Sequence, residues 1–396
     1  ILFCAIPLLH VVAGKTLEAI YKVWVWSINC MAVGLFPDLD YNGVPFSETH
    51  YPERFAMAGK YLTRTRQKAV FSELRGDWKW QVEALNLEQY YNDDDICHLC
   101  RAHKKRRRLF YTQFRRDSRL RKTHVSWARF RDWLEHERRT RSPLTRLLGF
   151  STWRCWVDAM HNLDLGIYQG IAASCLVELV GENVWPGATR QEGYKRAHIE
   201  YKAWCAENLL TPCPTFDKSI NPGGTETPCF QVHHAKGAQM KYIMLWLSTI
   251  SSKPENYTTS HGKMRMSLMS QFARFEEVCA RYDRWLPPEA SEEIADAMEN
   301  ALTCLNALAD EAANANEFTW QILPKAHMTT HMVYDMAADG VNPRRVTCYA
   351  DEDMVGKVKR IVLNCHGKAA SSMSLFRYVI LVGTRWWTHL RDMRLR

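Results

Sequence analysis

The chain has 396 residues, with 52 Lys and Arg against 43 Asp and Glu, a net charge of +9, and 46% hydrophobic and 12% aromatic residues. That length accommodates two or three domains at roughly 100–200 residues each, and the apolar and aromatic content excludes a disordered or low-complexity chain. No run of about 18 uninterrupted apolar residues occurs, so no membrane partner is expected.

The sequence opens on Ile1, and the apolar stretch 1–14 lacks the basic start of a secretion signal. It reads as a buried segment of a longer parent chain. Leu17, Ile20, Trp24, Ile28 and Met31 recur at helical spacing and predict a buried helix over 15–33. Residues 36–66, rich in Pro, Asp, Asn and Gly, read as a long connection. Residues 69–75 alternate in the manner of a strand and run into Gly76-Asp77. Beyond Pro143 the pattern turns helical, with helices expected at 156–180, 192–209, 236–250, 265–285, 290–314, 319–338, 353–364 and 375–391. The stretch 211–229, with four prolines and two glycines, separates two of them. No internal repeat is found. Thirteen cysteines, an odd number without framework spacing, favour reduced thiols and a cytosolic or nuclear setting.

Charge is concentrated in one place. Between residues 101 and 146 there are 17 Lys and Arg against 4 Asp and Glu, while the rest of the chain is slightly acidic. The segment contains Lys104, Lys105, Arg106, Arg107, Arg108, Arg115, Arg116, Arg119, Arg121 and Lys122, then Arg129, Arg131, Arg138, Arg139 and Arg141, with Phe110, Tyr111, Phe114, Trp127, Phe130 and Trp133 interleaved. A solvated helical face is one reading of such a run, but a surface helix usually carries both signs at i,i+4. Uncompensated Arg suits bidentate phosphate contacts and counterion release, so nucleic acid is the expected partner. The run 104–108 also reads as a nuclear import signal.

Cys97-His98-Leu99-Cys100 is a C-x-x-C, either a redox pair or half of a tetrahedral zinc site. His103 offers a third ligand without a fourth nearby. His327 and His331 stand i,i+4 and therefore on one helix face, a second half-site that completes a Cys2His2 set. Two acids flank these pairs. Asp77 lies twenty residues before Cys97, and Glu352 lies twenty-one residues after His331 at the start of a helix. Carboxylates so placed hold divalent metals for phosphoryl transfer, although acids at a helix start also favour its dipole.

The order Asp, C-x-x-C, long helical insert, paired His, Glu resembles the catalytic domain of CACTA-type cut-and-paste transposases, whose wider architecture includes the V(D)J recombinase catalytic subunit. Arg75-Gly-Asp77-Trp-Lys resembles the segment around that family's second catalytic aspartate. Asp158-Ala-Met-His161-Asn-Leu-Asp-Leu-Gly resembles its aspartate-x-Met-His helix opening, and Glu352-Asp-Met-Val-Gly-Lys-Val-Lys its terminal glutamate motif. The resemblance covers roughly residues 15 to 365. It implies an α+β, helix-rich fold, a partial RNase H-like core interrupted by a large all-α insertion. The implied order is 1–100 for the first part of that core, 101–150 for the basic segment, 151–318 for the insertion, and 319–396 for the returning histidines and glutamate helix. The resemblance further implies two-metal DNA cleavage and joining. Asp77 and Glu352 would take Mg2+ or Mn2+, and Cys97, Cys100, His327 and His331 a structural Zn2+. Asp158 and His161 would support the site or the packing. The expected partner is double-stranded DNA in the nucleus, with a homo-oligomer left open. The family's first aspartate would lie upstream of the helix at 15–33, where this chain is too short to include it. Asp38 and Asp40 follow that helix in a loop and substitute poorly; a calcium-loop reading fails because Thr49 stands where the twelfth ligand belongs. The competing reading is a non-catalytic, zinc-stabilised DNA-binding relic or repurposed copy.

Overall fold

Helical periodicity dominates the chain, and the computed structural model is accordingly helix-rich. It describes residues 11–12, 14–126, 128, 130, 142–217, 220–221, 227–231, 234–366, 373–381 and 383–384. Trp127, Arg129, Arg131, Trp133, Arg138, Arg139, Arg141 and positions 385–391 of the last expected helix lie outside the described residues. In chain order the helices are α1 (Thr16–Val33), α2 (Pro52–Met57), α3 (Trp78–Leu85), α4 (Tyr168–Gly181), α5 (Arg190–Glu207), α6 (Gly237–Ser251), α7 (Ser260–Arg281), α8 (Pro288–Asn314), α9 (Pro324–His331) and α10 (Tyr349–Leu363). A π-helical turn at Met160–Ile167 leads into α4, and another at Met332–Met336 extends α9.

The described residues fall into two compact units: one drawn from Ile1–Ser72, Arg141–Phe150 and Tyr349–Arg396, the other from Glu73–Thr140 and Ser151–Cys348. Residues 319–348 fold with the helical insertion, and the glutamate helix α10 groups with α1. In the smaller unit, α1 ends where Gly34 adopts a φ of +83°, a conformation glycine reaches without strain. The Asn29 amide of α1 donates to the Arg146 carbonyl at 2.9 Å and accepts from the Leu148 amide at 2.9 Å, tying the turn Pro143–Arg146 to the helix.

The larger unit holds the main core. In α8, Ile294, Met298, Ala301, Leu305 and Leu308 recur every three or four residues and are buried, the stripe a core-facing helix requires. It packs along α7, whose Leu268, Phe272 and Phe275 are buried against it. Side-chain caps open the neighbouring helices: Thr259 accepts from Gly262 N at 2.9 Å and Thr189 from Glu192 N at 3.3 Å, each worth about 1 kcal/mol. Met160–Gly181 is long and apolar enough to cross a membrane, but 78% of its apolar window is buried inside the protein, as in a central core helix.

The strand expected at 69–75 does not form. Leu74 alone makes a parallel bridge, donating to Arg154 O at 2.7 Å and accepting from Trp156 N at 3.2 Å. With no neighbouring ladder to continue into, the alternation has no sheet face to bury, and Val70 is 81% exposed. Among the described residues, paired strands occur only within the proline-rich connection, where β1 (Ile220–Asn221) runs antiparallel to β2 (Cys229–Phe230). The helix expected from 156 begins later, at Met160, because Asp158 caps it.

Candidate metal centre

The C-x-x-C sits on a tight knuckle. Ile96 N donates to Ala102 O at 3.0 Å, and Leu99 N donates to Cys97 Sγ at 3.3 Å. His103, weighed as a third ligand, is used otherwise: its Nδ1 accepts from Lys105 N at 2.9 Å and Arg106 N at 3.2 Å, shaping the turn that carries the basic run. Across the unit, α9 presents His327 and His331 on one face.

The two half-sites meet. Cys100 Sγ lies 3.2 Å from His327 Nε2 and Cys97 Sγ lies 3.4 Å from His331 Nε2, pairs separated by 227 and 234 positions in the chain. The two Nε2 atoms are 3.3 Å apart, and all four donor atoms lie within 4.8 Å of one another. Tetrahedral zinc requires edges of about 3.3 Å between nitrogens, about 3.6 Å between nitrogen and sulfur, and about 3.8 Å between sulfurs. The residues fit such an ion, and all four are buried. The cluster can hold a metal ion.

Burial and mutual charge act on the four donors in opposing senses. Burial resists ionisation of Cys97, but a hydrogen bond from Cys100 and the charges of His331 and His327 hold its thiol well below the ordinary value. Cys100 is pushed up by burial and by the neighbouring Cys97. Burial lowers His327. It also opposes charging of His331, yet Cys97 and Asp335 raise that imidazole to about 9.

Sequence reasoning missed Asp335, one turn beyond His331. Its carboxylate accepts from His331 Nδ1 at 2.7 Å and His124 Nε2 at 3.2 Å, and pairs with Arg121 at 2.5 Å. Burial opposes its charge, but these donors outweigh burial and hold its carboxyl well below the usual carboxylate range. A carboxylate behind a ligating histidine fixes the tautomer and directs Nε2 to the metal. The i,i+4 spacing was the available signal.

The basic residues divide into two groups. Arg121 pairs with Asp335, Lys105 with Asp94 at 2.9 Å and Arg115 with Asp117 at 3.0 Å. Arg116 contacts Glu292, Asp296 and Glu299 on α8, the last at 2.8 Å. The compensating acids absent from the segment are therefore supplied partly by a distant helix. Arg106, Arg107, Arg108, Arg119 and Lys122 are exposed, and Lys104 is half-buried.

A cleft of 90 Å³ opens beside the centre, lined by residues including Asp77, Trp78, Tyr90, Tyr91, His161 and Lys325. Asp77 caps α3, accepting from Trp80 N at 2.6 Å. Asp158 accepts from Met160 N at 3.2 Å, His161 N at 3.1 Å and Cys348 N at 2.9 Å. It also pairs with His161 Nδ1 at 2.5 Å. Lys325 Nζ donates to the carbonyls of His161 at 2.7 Å and Leu165 at 3.1 Å, which the π-helical turn leaves open. Gly166 makes room: a Cβ there would stand 2.8 Å from Lys325 Cδ and 2.9 Å from His161 O. Burial lowers Lys325, with Asp77 and Asp158 acting oppositely. Behind the turn, Arg344 grips Asp164 at 2.7 and 2.8 Å and meets Glu276 at 2.8 Å.

The structure thus brings Asp77, Asp158 and His161 to one cleft and Cys97, Cys100, His327 and His331 to one cluster. Glu352 lies in the first turn of α10, exposed, and belongs to the other unit. Comparison with protein-family models, with curated proteins and with solved structures gives no match to this chain.

Proposed function

We propose that this chain is a transposase-like, double-stranded-DNA-binding nuclear protein, ancestrally a DNA strand-cleaving and strand-joining enzyme. The observation that carries the reading is the closure of Cys97, Cys100, His327 and His331 from two distant segments next to the cleft that contains Asp77. The resemblance implies that closure; composition alone does not. In this reading the ion is zinc, and four coordinate bonds tie the Cys97–Cys100 knuckle to α9. The RNase H-like core belongs to the same reading, with the segment bridging Leu74 to Cys155 leading into Asp77.

Asp77 is the acid of this cleft that would hold Mg2+ or Mn2+, an ion that would supply charge neutralisation at a phosphodiester when bound. Asp158 orients His161 at the cleft, and Lys325 offers a positive charge there. The exposed Arg106, Arg107, Arg108, Arg119 and Lys122, with Lys104, are the duplex-binding cations.

The test is duplex affinity across a salt series. Replacing Arg106, Arg107 and Arg108 together with Ala should flatten the log–log slope by roughly 0.9 for each phosphate no longer neutralised. A slope unchanged by that replacement would remove these residues from the interface. The second reading is a non-catalytic zinc-stabilised relic or repurposed copy, in which Asp77 serves only as the cap of α3, accepting from Trp80 N at 2.6 Å. Mg2+-dependent nicking that Asp77→Ala abolishes would decide for the enzyme; binding without nicking would decide for the relic.

A further inference from the structure

One wall of the cleft is aromatic, and neither strand cleavage nor the metal centre uses it. Trp78, the first residue of α3, meets Tyr90 edge-on at 5.6 Å and Tyr91 at 6.2 Å, and the two tyrosine rings lie 4.2 Å apart. Tyr91 is 41% exposed, a large apolar face held in place beside Asp77. Trp78 Nε1 is buried without a hydrogen-bond partner. His161, Asn162 and Lys325 add polar groups to the lining.

A flat ring suits this lining, because its face stacks on the exposed Tyr91. A base inside a duplex cannot enter, because both its faces are already stacked. We propose that this cleft binds a single unstacked nucleobase, so that the chain recognises a single-stranded or locally opened DNA strand next to Asp77. The inference rests on the DNA-binding reading above and adds the form of the strand and the residues that take it. Stacking is indifferent to base identity, so little sequence preference arises here. It also releases no counterions, which separates it from the phosphate binding of Arg106, Arg107 and Arg108.

The experiment uses the full chain and a single-stranded oligodeoxynucleotide containing 5-iodouracil. Irradiation should crosslink the base to Trp78, Tyr90 or Tyr91, located by peptide mass spectrometry. In parallel, Tyr91→Ala should weaken binding of the unmodified oligonucleotide roughly 5- to 150-fold with an unchanged salt slope. Tyr91→Phe, which keeps the ring, should bind as the unmodified chain does. Crosslinks confined to residues 101–122, or full affinity in Tyr91→Ala, would overturn the inference and leave the DNA-binding reading standing. Absence of binding to any DNA at low salt would overturn both.

Discussion

Replacing Asp335 with Ala probes the metal centre without touching a ligand. The carboxylate receives His331 Nδ1 at 2.7 Å, His124 Nε2 at 3.2 Å and the Arg121 guanidinium, in an environment where the Arg121 and Asp335 side chains are 17% and 13% exposed. Two costs follow. Without its partner, His331 can rotate or take the other tautomer, and loss of such a support costs about 10- to 100-fold in metal affinity. Arg121 is left with an uncompensated, largely desolvated charge, for which about 3 kcal/mol, the low end for a broken buried pair, is appropriate at this partial exposure. Competition against a colorimetric zinc chelator reads the first effect, and urea unfolding at saturating zinc reads the second. Metal affinity within twofold of the unmodified chain, together with an unshifted urea midpoint, would refute the assignment of Asp335 as the carboxylate that orients His331.

Arg116→Ala should destabilise the fold by about 1–3 kcal/mol while leaving the salt slope of DNA binding unchanged, because its charge is spent on Glu292, Asp296 and Glu299; a flattened slope would instead place it on phosphate. His261 bridges Glu178 at 3.0 Å and Glu311 at 2.7 Å, and hydrogen bonding to Glu178 raises it to about 9 against burial. A raised imidazole stabilises fully below its unfolded value of about 6.5, and the contribution is lost as pH climbs through the folded value. Unfolding free energy should therefore decline between these limits by about 1 kcal/mol after allowance for solvent screening, read as a falling melting temperature, and His261→Gln should abolish the decline. Gly166→Ala should cost about 1–3 kcal/mol by driving a methyl into Lys325 and the His161 carbonyl, read by urea unfolding; an unchanged midpoint would show that Lys325 moves aside freely.

Local spacing carried the half-sites. Cys97 and Cys100 share a turn, and His327 and His331 share a helix face, so each pair was legible from a few residues, and the need of zinc for four donors joined them. What spacing cannot convey is which distant charges meet. Arg116 and Arg121 look like their exposed neighbours in the sequence, and only packing against α8 and the end of α9 separates them from the cations left facing solvent. A compositional hint existed: Pro288–Asn314 contains seven acids and no Lys or Arg, an imbalance that invites a basic partner. Alternation at 69–75 misled because strand formation depends on a neighbour, and Leu74 finds only one bridging residue, Cys155. The cleft was half legible. Asp77, Asp158 and His161 stood out as residues, but Lys325 reaches it through carbonyls freed by a π-helical turn, and no helical period announces that turn in advance.

The most direct measurement is X-ray absorption at the zinc edge on the purified full chain, with metal content determined on the same sample. One zinc per chain in a shell of two sulfurs near 2.3 Å and two nitrogens near about 2.0 Å is the expected result, with zinc lost in Cys97→Ser and in His327→Ala. A chain that purifies and folds without metal, or a shell lacking either sulfur or imidazole nitrogen, would contradict the account.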